Sequence, residues 1–137
     1  MELVDVICNG SKLSPEQATQ LALIIFLDLS GRELVEFPRH LFSCRALQQL
    51  LYAGNKLKMI PREMLQLESL ATLYLSYNAI GFIPSLQSLP CLTSLHASEN
   101  RLADFPISLP ASLITLDLSR NMIPTIPPDI ENLTQYP

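Results

Sequence analysis

At 137 residues, the chain is one domain's worth of protein, and its net charge of −4, from nine Lys and Arg against thirteen Asp and Glu, gives no footprint for nucleic acid or an anionic membrane. Cys8, Cys44 and Cys91 are odd in number, spaced by 36 and 47 residues, and lack any Cys-x-x-Cys pair. They read as buried free thiols suited to a reducing, cytoplasmic compartment, not as a disulfide framework or a metal site.

The first 23 residues predict an atypical capping unit made of a strand and a helix. Val4 and Val6 alternate as in a strand from Leu3 to Ile7, with Asn9 beyond it. Ser14-Pro15-Glu16-Gln17 then has Ser at an N-cap, Pro at the first helical position and Gln at the third, followed by the stripe Ala18, Leu21 and Ala22. This helix is expected to cover the exposed end of the stack formed by residues 24 onward. The apolar run Leu21 to Leu27 comes after acidic residues instead of a basic segment and stops at Asp28, so it reads neither as a secretion signal nor as a membrane span. The glycosylation sequons at Asn9 and Asn132 are therefore not expected to be used.

From Ile24 onward one string recurs, starting at Ile24, Leu47, Leu70, Leu92 and Leu113, with spacings of 23, 23, 22 and 21 residues. The five units are 24–46, 47–69, 70–91, 92–112 and 113–135. Positions one, four, six, eleven and fourteen are apolar almost throughout, as Leu73, Leu75, Ile80 and Ile83 show in the third unit. Pro38, Pro61, Pro84, Pro106 and Pro127 each follow the fourteenth position, so the high proline content is periodic punctuation. The ninth position is Asn55, Asn78, Asn100 and Asn121, with Arg32 in the first unit. An amide in an apolar ring must be hydrogen-bonded, whereas Arg cannot accept and is expected to turn outward, leaving local regularity in question. After the prolines, Arg39 to Ala46 and Arg62 to Ser69 suit short helical turns, while the later stretches carry extra prolines and are shorter.

This order of leucines, asparagine and period resembles the leucine-rich repeat, and so implies an α/β solenoid with a curved parallel sheet on the concave side and short helical, 3₁₀ or irregular segments on the convex side. Over residues 24–134 the proline after position fourteen and apolar pairs such as Ile130 and Leu133 resemble the cytosolic Leu-Pro-x-x-Ile class. That class includes the plant intracellular Ras-group-related proteins, the Ras suppressor protein and polarity scaffolds. The resemblance implies that Asn55, Asn78, Asn100 and Asn121 form a structural ladder and bind no partner. The Cys-rich caps usual in secreted members of the family are not visible.

Alternation along each strand sends positions three, five and seven to the concave face. Position five reads Asp28, Leu51, Tyr74, His96 and Asp117, position seven is Ser or Ala, and position eight reads Gly31, Gly54, Tyr77, Glu99 and Arg120. With strands about 4.8 Å apart, Leu51, Tyr74, Tyr77, His96 and Glu99 are expected to form one patch, with Asp117 and Arg120 beside it. Aromatic area edged by charge is the composition of an interface hot spot, although tyrosine also suits any exposed strand. His96, Asp117 and Ser98 or Ser119 supply the residue types of a hydrolytic triad. Against catalysis stand the absence of a strained nucleophile turn and of a glycine-rich oxyanion turn. No catalytic residue, metal site or cofactor is assigned, and His40 stands apart on the convex side.

The expected function is a non-enzymatic module that binds another protein on the concave sheet, with no nucleic acid and no membrane insertion. The alternative is a structural subunit of a larger assembly that uses the repeat edges and convex face. Tyr136 and Pro137 would begin an absent sixth unit, so the edge of the fifth strand is expected to be covered by further repeats or another chain.

Overall fold

A computed structural model describes residues 2–106 and 108–124. Its centre is a single parallel sheet of five three-residue strands in sequence order: β1 (Phe26–Asp28), β2 (Gln49–Leu51), β3 (Thr72–Tyr74), β4 (Ser94–His96) and β5 (Thr115–Asp117). Equivalent positions pair without slippage, so Asp28, Leu51, Tyr74, His96 and Asp117 form one continuous row. One unit per strand and a constant register make this the α/β leucine-rich repeat solenoid expected from the sequence.

Inward side chains from positions one, four, six, eleven and fourteen stack along the solenoid. Leu47, Leu70 and Leu92 are fully buried, as are Leu50, Leu73 and Leu95 at position four. A single unit cannot bury this face by itself, so the continuous core from Ile7 to Leu116 exists only through neighbours. Tyr52 replaces an aliphatic residue at position six; its hydroxyl donates to Glu36 O at 2.8 Å, and its ring lies 4.4 Å from that of Phe37. Burial raises the pKa of this phenol.

The asparagines connect successive units. Asn100 Nδ2 donates to its own unit's Ala97 O at 3.1 Å and to Leu75 O of the preceding unit at 2.9 Å, while its Oδ1 accepts Ile80 N–H at 3.0 Å. Asn78 and Asn121 repeat that pattern one unit earlier and later. Asn55 accepts both Arg32 N–H and Leu34 N–H, each at 3.0 Å. Arg32 itself is exposed, and Glu33 beside it is forced into the left-handed region at φ 57°. The irregular first unit is thus held by its neighbour's amide.

The capping unit departs from the expected strand. Residues Leu3–Asn9 form a helix, α1, and a second helix, α2, spans Pro15–Leu21. Alternation of Val4 and Val6 is the weaker signal. Leu3, Val6 and Ile7 lie three and four apart on one helical face, Val6 and Ile7 are buried, and Gly10 ends the helix at φ 71°. Asn9 Oδ1 accepts Ser11 N–H at 2.8 Å. The capping box of α2 forms as the sequence predicts, with Gln17 N–H donating to Ser14 Oγ and Ser14 N–H to Gln17 Oε1. Of the expected stripe only Leu21 is buried, for Ala18 and Ala22 face solvent. The turn after α1 is fastened to the convex side: Arg39 Nη2 donates to Gly10 O at 2.9 Å and His40 Nε2 lies 2.6 Å from Ser11 O.

Convex 3₁₀ turns occur at Arg39–Ser43 and Arg62–Gln66, the two stretches whose sequence suits them. Among the cysteines only Cys44 is fully buried; Cys8 is half-buried and Cys91, expected inside, is exposed. Cys91 directly precedes the first inward position, Leu92, at a turn where the chain faces solvent. The expectations placed on Pro127, Ile130, Asn132, Leu133, Tyr136 and Pro137 lie outside the described residues.

Two measurements test this architecture. Asn100→Ala orphans buried carbonyl and N–H groups and should cost about 1–3 kcal/mol, against less than about 0.5 kcal/mol for Thr72→Ala on the concave face; equal urea midpoints would contradict the role given to the amide. Burial pushes the Cys44 thiol from 9.0 up to about 11. The unfolded chain therefore ionises first, and this contribution to stability, complete below pH 9, is lost as pH rises towards 11. Urea midpoints of the parent should fall more steeply over that window than those of Cys44→Ala.

Candidate functional site

The concave face is assembled by alternation: Leu50, Leu73 and Leu95 point into the core, so Leu51, Tyr74 and His96 stand on the opposite side of the backbone. The phenol of Tyr74 and the imidazole of His96 stack with centroids 4.4 Å apart and planes within 6° of parallel. Parallel strands in unbroken register impose this, because side chains at equivalent positions stand one strand spacing apart. Leu51 borders Tyr74 on one side and Asp117 borders His96 on the other.

Both ends of the row are acidic and built alike. Asp117 Oδ1 accepts Ser119 N–H at 3.0 Å and the Ser119 hydroxyl at 2.6 Å; Asp28 Oδ1 accepts Ser30 N–H at 2.9 Å. Each carboxylate is thereby fixed by the residue two places on. Ser98 donates to Ser76 Oγ at 2.9 Å. The hydroxyls of Ser98 and Ser119 are thus directed at another serine and at an adjacent carboxylate, while the ring of His96 is stacked on Tyr74. The triad residue types occur on one face without the hydrogen-bond relay that nucleophilic catalysis requires.

Position eight has a property that strand alternation does not reveal. Gly31, Gly54, Tyr77, Glu99 and Arg120 all adopt left-handed φ, between 54° and 71°. Here the chain turns out of the strand while its N–H still reaches the next unit: Gly54 N donates to Ser76 O, Tyr77 N to Ser98 O and Glu99 N to Ser119 O. A β-carbon in this conformation costs roughly 1 kcal/mol, so Tyr77, Glu99 and Arg120 are strained positions. The signal is present in the sequence as the glycines of the first two units. Tyr77 is 63% exposed, and Glu99 pairs with Arg120 at 3.4 Å. The expected patch thus divides into a flat strand row, Leu51, Tyr74, His96 and Asp117, and a turn row, Tyr77, Glu99 and Arg120.

Further apolar exposure lies at Phe26 on the first strand and at Val35, Met59 and Phe82 in the segments leading to the convex side. A convex groove of about 770 Å³ runs beside α1, with Phe37, Phe42 and Met59 along it and Arg39, Arg45, Glu36 and Glu63 around it. Among the described residues no group of three or more His, Cys, Asp or Glu side chains could hold a metal ion, and no helix is long and apolar enough to cross a membrane.

A five-strand parallel repeat sheet and an asparagine ladder between its units define the class. Leucine-rich repeat models match residues 45–102 and 112–133, together more than half of the chain, and the chain belongs to the leucine-rich repeat family. It is 37% identical over 118 residues to mouse leucine-rich repeat and calponin homology domain-containing protein 1, covering 80% of this chain and 16% of that protein. To mouse keratocan it is 35% identical over 120 residues, covering 84% and 34%. The structure of a Shigella effector leucine-rich repeat domain superposes with a TM-score of 0.69 at 26% identity, covering 98% of this chain and 51% of that one. The chain therefore spans only 16% and 34% of the lengths of these two mouse relatives.

The left-handed turns give a direct test. At Gly54 an added β-carbon would find its nearest atoms 3.8 Å away, so Gly54→Ala is penalised by φ 71° and not by crowding. It should lower stability by about 1 kcal/mol. Gly81 has no positive φ and equally open surroundings, and Gly81→Ala should be neutral or stabilising by about 0.4–1 kcal/mol. Equal thermal shifts for the two would contradict the assignment of position eight.

Proposed function

We propose that the chain is a non-enzymatic protein-interaction module that receives its partner on the concave sheet, centred on Tyr74, His96 and Tyr77 and flanked by Leu51, Glu99, Asp117 and Arg120. The observation that carries this reading is the stacked Tyr74–His96 pair at the middle of the strand row. Two rings held rigid by the sheet offer contact area without the entropy cost of ordering flexible side chains on binding. Repeats bearing this fold in a calponin-homology protein and in a bacterial effector accord with use of the scaffold as a binding module. The three cysteines are free thiols, which supports a cytoplasmic setting. Proline-initiated 3₁₀ turns on the convex side support membership of the Leu-Pro-x-x-Ile class. No cofactor enters this function.

The test compares surfaces. Truncating Tyr74 and Tyr77 together to Ala should weaken capture of the partner by about 2 kcal/mol or more, roughly 30-fold, with little loss of folding stability. Arg62→Ala on the convex side should leave capture unchanged. Quantitative mass spectrometry of proteins retained from lysate by each variant measures both. Retention by the double truncation together with loss on convex mutation would instead make the chain a structural subunit that uses its convex face.

A further inference from the structure

The row that carries the stacked rings ends in a carboxylate on each side, and neither is neutralised. Among the described residues, ion pairs join Lys56 to Glu33 and Arg120 to Glu99; Asp28 and Asp117 have no cation partner there. The remaining residues, 1, 107 and 125–137, include no Lys, Arg or His. One oxygen of each carboxylate is occupied by the serine two places on, which fixes its orientation and leaves the second oxygen to an incoming donor. Aspartate is also shorter than histidine. Asp117 is next to His96 in register on the side away from Tyr74, so its carboxylate flanks the face of the imidazole that Tyr74 does not cover. A planar cation inserted there would stack on the ring and pair with the carboxylate. Guanidinium is the side-chain group that makes both contacts at once.

Resting on the concave-docking reading, we propose that the partner presents an extended basic segment lying across the strands, with one arginine between His96 and Asp117 and a second cation at Asp28. Four strand spacings of about 4.8 Å separate the two carboxylates by roughly 19 Å, which an extended chain covers in about six residues. Between them the segment crosses Leu51 and Tyr74, so its middle is apolar. An acidic segment would meet two unneutralised carboxylates, and a wholly apolar one would leave both facing it without a partner.

The probe is a fluorescent peptide with two arginines about six residues apart around an apolar centre, compared by anisotropy with the same peptide carrying Lys, Leu or Glu in place of Arg. The arginine peptide should bind tightest, the glutamate peptide should not bind, and affinity should fall as salt rises. Asp28→Asn and Asp117→Asn keep the oxygen that accepts from serine while removing the charge. Each should raise Kd about three- to ten-fold, with an unchanged circular dichroism spectrum. Equal affinity of the Leu and Arg peptides, insensitivity to both Asn variants, or no binding of any peptide overturns the proposal. Preferential binding of the Leu peptide, abolished by Tyr74→Ala, would sink the basic partner yet keep the concave site. Arginine-peptide affinity unchanged by Tyr74→Ala and His96→Ala but lost in Glu63→Gln would place binding on the convex groove, and both readings would fall.

Discussion

The asparagine ladder is the contact on which the rest of this molecule depends. Each unit's polar ring would otherwise bury unpaired carbonyl and N–H groups where the chain leaves the strand, and an orphaned buried group costs more than one hydrogen bond returns. By taking carbonyls from two successive units and an N–H from the earlier one, Asn100 fixes both the turn and the distance between turns. Register results from this, and register arranges the whole concave wall. The stack of Tyr74 on His96 requires that β3 and β4 not slip by a single residue, since one step would send a ring into the core face.

The first unit shows how far the scheme tolerates error. Arg32 cannot act as a ladder amide, yet Asn55 of the next unit accepts two of the first unit's N–H groups, and the backbone absorbs the mismatch as a left-handed Glu33. Nearest-neighbour coupling explains why one irregular unit does not propagate: each repeat answers mainly to the adjacent ones. It also explains the cap. Helix α1 and the turn after it fasten onto the convex side through Arg39 and His40, where a strand would merely have extended the open sheet edge.

The concave wall combines two physically different rows. The strand row is flat, built on unstrained backbone and carries the rings and aspartates. The turn row sits on left-handed backbone, so Tyr77, Glu99 and Arg120 hold their side chains at positions where glycine would be less strained. Strain of this kind persists when the surrounding structure over-determines it. Here the over-determination is visible as N–H bonds to the following unit, from Tyr77 to Ser98 O and from Glu99 to Ser119 O.

Much of the fold is legible without coordinates, because the repeat period and the apolar positions set strand count, register and facing by simple alternation. Leu73 inward and Tyr74 outward need only the sequence, as do the 3₁₀ turns after Pro38 and Pro61 and the capping box at Ser14. What only the tertiary structure decided lies where two local signals compete or where a partner is distant in sequence. The alternation of Val4 and Val6 predicts a strand from Leu3 to Ile7, whereas packing of Val6 and Ile7 together with the Gly10 stop selects a helix over Leu3–Asn9. Cys91 falls beside an inward position but on the solvent side of it. The pairing of Glu99 with Arg120 and the lack of a described cation at Asp28 and Asp117 depend on rotamers and on residues about twenty places away, which periodicity alone does not specify.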